Sequence, residues 1–153
     1  MITKQDSVFV LDENGSLFQF ARGEKFIDSP ERQISSIYAI NDAYFVSENL
    51  VVISYANKSM RLWNFRSNRD TWLRGKNGYI RGALYNADDN RLITAGRDKT
   101  VRVWQVDFEE TRQTNKLELE SRINGLAWCP GKRRVVVACN NGKLMCWNPY
   151  EDD

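Results

Sequence analysis

The chain has 153 residues, a formal net charge of +2 at pH 7, 42% hydrophobic and 27% charged residues, and no histidine. That is enough length for a sizeable core and a composition ordinary for a soluble globular domain, with nothing approaching the roughly eighteen consecutive apolar residues of a membrane span. The lack of histidine removes the commonest neutral-pH acid–base group and metal ligand, and residues 1–12 lack the basic-then-apolar pattern of a secretory leader.

Taken in chain order, the apolar runs are short, rich in β-branched and aromatic residues, and separated by Asn, Asp and Gly, which predicts strands and tight turns. No segment sustains a 3.6-residue apolar period, so little helix is expected. The first group of strands falls at 8–11, 17–20 and about 24–28. The second falls at 37–40, 50–54, 59–63 and about 70–75, and the third at 80–85, 91–95, 100–104 and about 115–120. A fourth group at 123–128, 135–138 and 143–147 brings the expected total to about fourteen strands.

These groups are copies of one unit. Asn14-Gly15-Ser16-Leu17-Phe18-Gln19-Phe20, Asn57-Lys58-Ser59-Met60-Arg61-Leu62-Trp63, Asp98-Lys99-Thr100-Val101-Arg102-Val103-Trp104 and Asn141-Gly142-Lys143-Leu144-Met145-Cys146-Trp147 align without gaps, their terminal aromatics 43, 41 and 43 residues apart. A period of that size marks a repeat architecture. Asn14, Asn57, Asp98 and Asn141 are read as turn fixtures, because a short polar side chain at a hairpin tip accepts hydrogen bonds from backbone amides two residues on. Phe20, Trp63, Trp104 and Trp147 are read as the wedge between neighbouring sheets, where a large ring fills volume and an indole N–H still finds a partner.

Charge is uneven along the chain. Residues 57–81 hold seven Lys or Arg against one Asp, whereas residues 1–56 hold four against eight acidic residues. Lys58, Arg61, Arg66, Arg69, Trp72, Arg74 and Lys76 therefore make a candidate nucleic-acid surface, with cations for phosphate and rings for stacking. The weightier reading is a set of solvated strands and loops, since alternate residues of a strand point to opposite faces. Cys129, Cys139 and Cys146, an odd number at spacings of ten and seven, fit neither a disulfide framework nor a zinc motif, and imply a reducing compartment, cytoplasmic or nuclear. Asp88-Asp89 reads as a polar turn. With no phosphate-cradling glycine loop and no nucleophile elbow, no catalytic residue, metal site or cofactor is expected.

Gly96-Arg97-Asp98-Lys99-Thr100-Val101-Arg102-Val103-Trp104 resembles the WD-repeat signature, with Gln105 where that family often has Asp. Ile123-Asn124-Gly125-Leu126-Ala127-Trp128-Cys129-Pro130-Gly131-Lys132 is similar to the family's inner strand and following turn. The Gly-His dipeptide that commonly opens a repeat is absent from every copy, so this is a divergent member. The resemblance implies an all-β arc of four-stranded antiparallel blades over residues 1–153, about three and a half blades, with residues 151–153 expected to fray. Such an arc would be completed by another polypeptide or by a second copy, would form an unusually small ring, or would stay open.

The resemblance also implies a non-catalytic scaffold in a larger complex, binding protein at the starts of the inner strands and the loops before them. Carried over by position, these residues are Ser36, Tyr38, Tyr79, Arg81, Arg122 and Asn124. RNA or DNA contact through 57–81 is the alternative, and no membrane partner is expected.

Overall fold

The computed structural model describes residues 2–4, 7–11, 16–21, 32–75, 79–131 and 133–151. These form four antiparallel sheets. Sheet one contains β1 (Ile2–Lys4), β2 (Ser7–Leu11), β3 (Ser16–Ala21) and β4 (Arg32–Ser35), and sheet two contains β5 (Ile40–Phe45), β6 (Leu50–Tyr55), β7 (Met60–Asn64) and β8 (Arg69–Leu73). Sheet three contains β9 (Ile80–Asn86), β10 (Arg91–Gly96), β11 (Thr100–Gln105) and β12 (Arg112–Glu118). Sheet four has β13 (Ile123–Trp128), β14 (Val135–Cys139) and β15 (Leu144–Trp147). In each sheet the strands neighbour one another in chain order, so each sheet is a meander, the blade of a propeller.

The tryptophans sit where the repeat places them. Trp63 and Trp104 are fully buried and Trp147 nearly so, each opposite an aliphatic residue of its second strand: Val51, Leu92 and Val135. Each packs against the blade before its own. Trp63 joins Phe9, Leu17 and Ile34 of blade one, Trp104 joins Val52, Leu62 and Leu73 of blade two, and Trp147 joins Ile93, Val101 and Val103 of blade three. The indole N–H of Trp63 donates to Asn68 Oδ1 at 3.2 Å and that of Trp104 to Thr94 Oγ1 at 3.0 Å. The first interface differs in chemistry, since Phe9, Phe45 and Phe65 meet edge-to-face with centroids 4.9 to 6.1 Å apart.

The hairpin tips carry the predicted polar caps. Asn57 Oδ1 accepts from the Ser59 amide at 3.1 Å, Asp98 Oδ1 from the Thr100 amide at 3.2 Å and Asn141 Oδ1 from the Lys143 amide at 3.2 Å. The next residue is left-handed each time, Lys58 at φ 69, Lys99 at φ 65 and Gly142 at φ 84, a conformation that costs about 1–2 kcal/mol for a residue with a Cβ. Asn14, the fourth cap, lies outside the described residues.

Two expectations are corrected. The inner strand of blade two is β5 (Ile40–Phe45), not 37–40, and Ile37 is 91% exposed in the bend before it. Both Ile37 and Ile40 begin an apolar stretch, but only Ile40 has the hydrogen-bond partner, Tyr55, equivalent to the Gly96 that pairs with Ile80. Blade one has an inner strand, β1, that was not anticipated, and its outer strand is β4 (Arg32–Ser35); the expected strand at 24–28 lies outside the described residues.

Replacing Trp104 by Ala should cost about 3–5 kcal/mol by cavity formation and leave Thr94 Oγ1 without its donor. Gly142→Ala should cost only about 1–2 kcal/mol, from the left-handed backbone alone. Urea unfolding followed by fluorescence and circular dichroism should return that order.

Candidate protein interface

Because each blade is a meander, the connection entering an inner strand and the turn between the second and third strands lie at one end of the sheet. Three equivalent backbone bonds tie them together: Ala56 N–H to Ala39 O at 2.9 Å, Arg97 N–H to Tyr79 O at 2.8 Å and Asn140 N–H to Arg122 O at 2.8 Å. Immediately beyond, the inner strands of blades two, three and four each have a bulge. Pairing jumps from Ile40 to Asp42, from Ile80 to Gly82 and from Ile123 to Gly125, leaving Asn41, Arg81 and Asn124 unpaired in the ladder and exposed. A bulge bends its strand and re-aims the extra side chain.

Four of the six predicted contact residues thus form one series, Tyr79 and Arg122 before the bulges, Arg81 and Asn124 at them. Ser36 and Tyr38 are not their equivalents; they lie in the β4–β5 connection, where Ser36 Oγ accepts from the Tyr38 amide at 3.1 Å and Tyr38 is 42% exposed. The matching residues are Ala39 and Asn41. Counting back from each tryptophan reaches them, at 23 residues from Trp63 against 24 from Trp104 and Trp147 to the inner-strand isoleucine.

Charge and ring contacts shape this end of the blades. The Arg97 guanidinium stands 5.4 Å from the Tyr79 ring centroid. Tyr44 donates from its hydroxyl to Ile80 O at 3.3 Å; burial pushes its phenol up, Asp42 adds to the rise and Arg81 opposes it. Gly82 allows the close approach of β9 and β13, since a Cβ there would stand 3.3 Å from the Leu126 amide nitrogen.

The basic segment is divided. Exposed Lys58 occupies the turn before β7 and exposed Arg66 the turn after it, ends separated by about 17 Å of strand. Arg61 is held by Asp70 at 2.6 Å, donates to Ser35 O at 3.0 Å and lies 4.9 Å from the Trp72 ring, which in turn stacks on buried Tyr55 at 5.5 Å. Burial lowers the Arg61 pKa, but the hydrogen bond it donates to Asp70 and the nearness of Tyr55 outweigh it and leave it above its ordinary value. Arg69 pairs with Glu109 of the next blade at 2.7 Å, Arg74 is exposed at the end of β8, and Lys76 lies outside the described residues. Trp72 remains 40% exposed, capping the blade-one and blade-two seam.

The outward flank of blade four is exposed at Leu144 and Cys146 and half-buried at Val136 and Ala138. Val136, Ala138, Leu144 and Cys146 occupy the positions of Ile93, Ala95, Val101 and Val103, which are at most 1% exposed beneath blade four. Leu144 is 74% exposed. Its equivalents each face an aliphatic residue of an outer strand, Leu17 facing Ile34, Met60 facing Leu73 and Val101 facing Leu117. Among the described residues β15 pairs only with β14, and no group of three or more His, Cys, Asp or Glu could hold a metal ion.

Repeated four-stranded blades, stacked through tryptophan and turned by capped hairpins, define a WD-repeat β-propeller arc. The CFAP43, WD40 domain family matches residues 1–153, and the chain belongs to it. It is 32% identical over 79 residues to a periodic tryptophan protein 2 homolog of Schizosaccharomyces pombe, a match covering 52% of this chain and 9% of that protein. A DDB1- and CUL4-associated factor 13 of Dictyostelium discoideum is 33% identical over 67 residues, 43% of this chain and 15% of the relative. The chain therefore spans only a small part of these relatives. A chain of the mitotic checkpoint complex superposes with a TM-score of 0.71 at 11% identity, over 95% of this chain and 48% of the other. The computationally designed Ika8 protein gives 0.73 at 16%, over 96% and 44%. Both show the fold.

Asp70→Ala should leave the half-buried Arg61 without its carboxylate and lower stability by about 1–3 kcal/mol. Pairing it with Arg61→Met should recover part of that loss, because no charge is then left unmatched. A double-mutant cycle by chemical denaturation checks both.

Proposed function

We propose that this chain is part of a larger WD-repeat propeller acting as a non-catalytic scaffold. In this reading the flank of blade four seats further blades, and the bulged ends of the inner strands take a protein partner. The carrying observation is the repeat's own asymmetry: one apolar position is buried at three seams and exposed on the outward flank of blade four, with Leu144 74% exposed where Leu17, Met60 and Val101 are fully buried. A contiguous apolar surface of this kind favours association. The covering element can come from further blades of the same or another polypeptide, or from a second copy.

At the bulges, Asn41, Arg81 and Asn124 offer hydrogen-bonding groups at regular intervals, with Tyr79 and Arg122 beside them. Tyr and Arg combine large contact area with directional bonding, which suits interface anchors. Contact with RNA or DNA through 57–81 has less support, because Lys58 and Arg66 sit at opposite ends of β7 and Arg61 and Arg69 are already paired. Salt-dependent binding of a single-stranded RNA oligonucleotide, weakened by Lys58→Glu, would favour that alternative.

Light scattering coupled to size exclusion, at two concentrations, tests the flank. The 153-residue chain is expected to associate as concentration rises, and Leu144→Glu to return it to a folded monomer. A wild-type chain that stays monomeric at both concentrations with native circular dichroism would refute the flank as a seat.

A further inference from the structure

The end of the blades that carries the bulges also gathers cations. Arg81 stands at a bulge and Arg122 just before one, Arg97 and Lys99 flank the Asp98 cap, and Lys58 and Lys143 lie in the hairpin turns of blades two and four; all six are exposed. None of them forms an ion pair among the described residues, whereas Arg61, Arg69, Arg91 and Arg102 each do. The acids at this end are occupied. Asp98 caps its turn and pairs with Arg102 at 3.1 Å, Glu118 pairs with Lys116, and Asp42 Oδ1 accepts from the Ala43 amide at 2.8 Å, which leaves exposed Glu120. Turns at the opposite end mix both signs, with Glu48, Asp88 and Asp107 exposed among Arg66 and Arg133.

The hairpins themselves do not require lysine. Lys58 and Lys99 hold φ of 69 and 65, a left-handed backbone that glycine adopts freely, and Gly142 has that place in blade four. At both positions a charge is kept where the backbone alone favours glycine. The cations also share one continuous surface. Tyr44 of blade two donates to Ile80 O at 3.3 Å beside Arg81, and Gly82 lets β13 approach β9, so Arg81 and Asn124 lie on adjoining inner strands. Stacking of nucleic-acid bases uses exposed rings in series. Here Tyr79 is half-buried, with the Arg97 guanidinium 5.4 Å from its centroid. The bulges hold Asn41 and Asn124, whose amides can both donate to and accept from a peptide backbone.

We propose that the bulged end of the blades recognises an acidic protein segment, rich in Asp and Glu, whose carboxylates pair with Arg81, Arg97 and Arg122 while its backbone meets Asn41 and Asn124. This charge class rests on the bulged end being a protein-binding face. Guanidinium groups take carboxylates through two parallel N–H···O bonds, and arginine clusters are a recurring means of holding acidic motifs. Lys58, Lys99 and Lys143 in the hairpin turns add a field that draws the segment in, over a range that salt shortens.

A short peptide of alternating Glu and Ser, titrated into the isotopically labelled chain and followed by its assigned backbone amide resonances, tests this. The amides of Asn41, Arg81 and Asn124 are expected to shift, and the same peptide with Gln for Glu to leave them unmoved. Binding should weaken as salt rises. Arg81→Gln combined with Arg122→Gln should weaken it about tenfold, the loss of two surface ion pairs. Arg66→Gln combined with Arg133→Gln removes the same charge from the opposite end and should leave it unchanged. All four side chains are exposed, and the amide spectrum itself establishes that each variant is folded. An acidic peptide that binds elsewhere or does not bind overturns the acidic partner, as does equal weakening by the two double variants. A single-stranded RNA oligonucleotide that shifts the same amides at lower concentration than the peptide overturns it in favour of nucleic acid. If the Gln peptide shifts the same amides equally, the charge class falls and the protein-binding face stands.

Discussion

The burial of one tryptophan per repeat against the preceding sheet is the contact on which the rest of the structure depends. A meander of short strands has two apolar faces and is marginal alone. Trp63, Trp104 and Trp147 each close one face by filling the wedge between successive blades, and a fully buried large side chain contributes about 1.5–3 kcal/mol. The spacing of blades then fixes where the inner strands lie, and Gly82 avoids a Cβ that would stand 3.3 Å from the Leu126 amide nitrogen between β9 and β13. In the first seam Trp63 is joined by an edge-to-face set of Phe9, Phe45 and Phe65.

Seams packed this way hold the turns in register, and so place the exposed groups. The caps of Asn57, Asp98 and Asn141 occur at one end of the blades, where a left-handed residue follows each and tightens the reversal. Beside them the inner strands begin with an isoleucine that points into a seam, followed by a residue thrown out by a bulge. One structural device, repeated three times, thereby presents Asn41, Arg81 and Asn124 to solvent. The residues differ in charge while the backbone under them is the same, which is how a repeat scaffold varies what it binds without altering its core.

The seam-forming pattern was legible in the residues because it recurs: an aromatic six positions after Asn or Asp reports a hairpin cap and a wedge at once, and an error in one copy is exposed by the others. The third and fourth groups of strands fall close to where periodicity puts them, with 123–128 coinciding with β13. The inner strand of blade two was misplaced because Ile37 and Ile40 are equally apolar, and only pairing with Tyr55 tells them apart. The bulges were invisible for a similar reason, since a skipped ladder position leaves no compositional trace. Nor does linear clustering of Arg and Lys reveal that Arg61 turns inward to Asp70 and Ser35 while Lys58 and Arg66 face solvent at opposite ends of a strand.

The two ends of a seam position can carry quite different chemistry under one backbone. Leu62, Val103 and Cys146 are equivalent by register, yet the first two are sealed within seams and the third is exposed beside a second thiol. Cysteine behaves as a small hydrophobe, so it suits a covered position as Leu and Val do. Cys at 129 and 146 therefore preserves what a covered seam needs, because the side chains remain small and apolar.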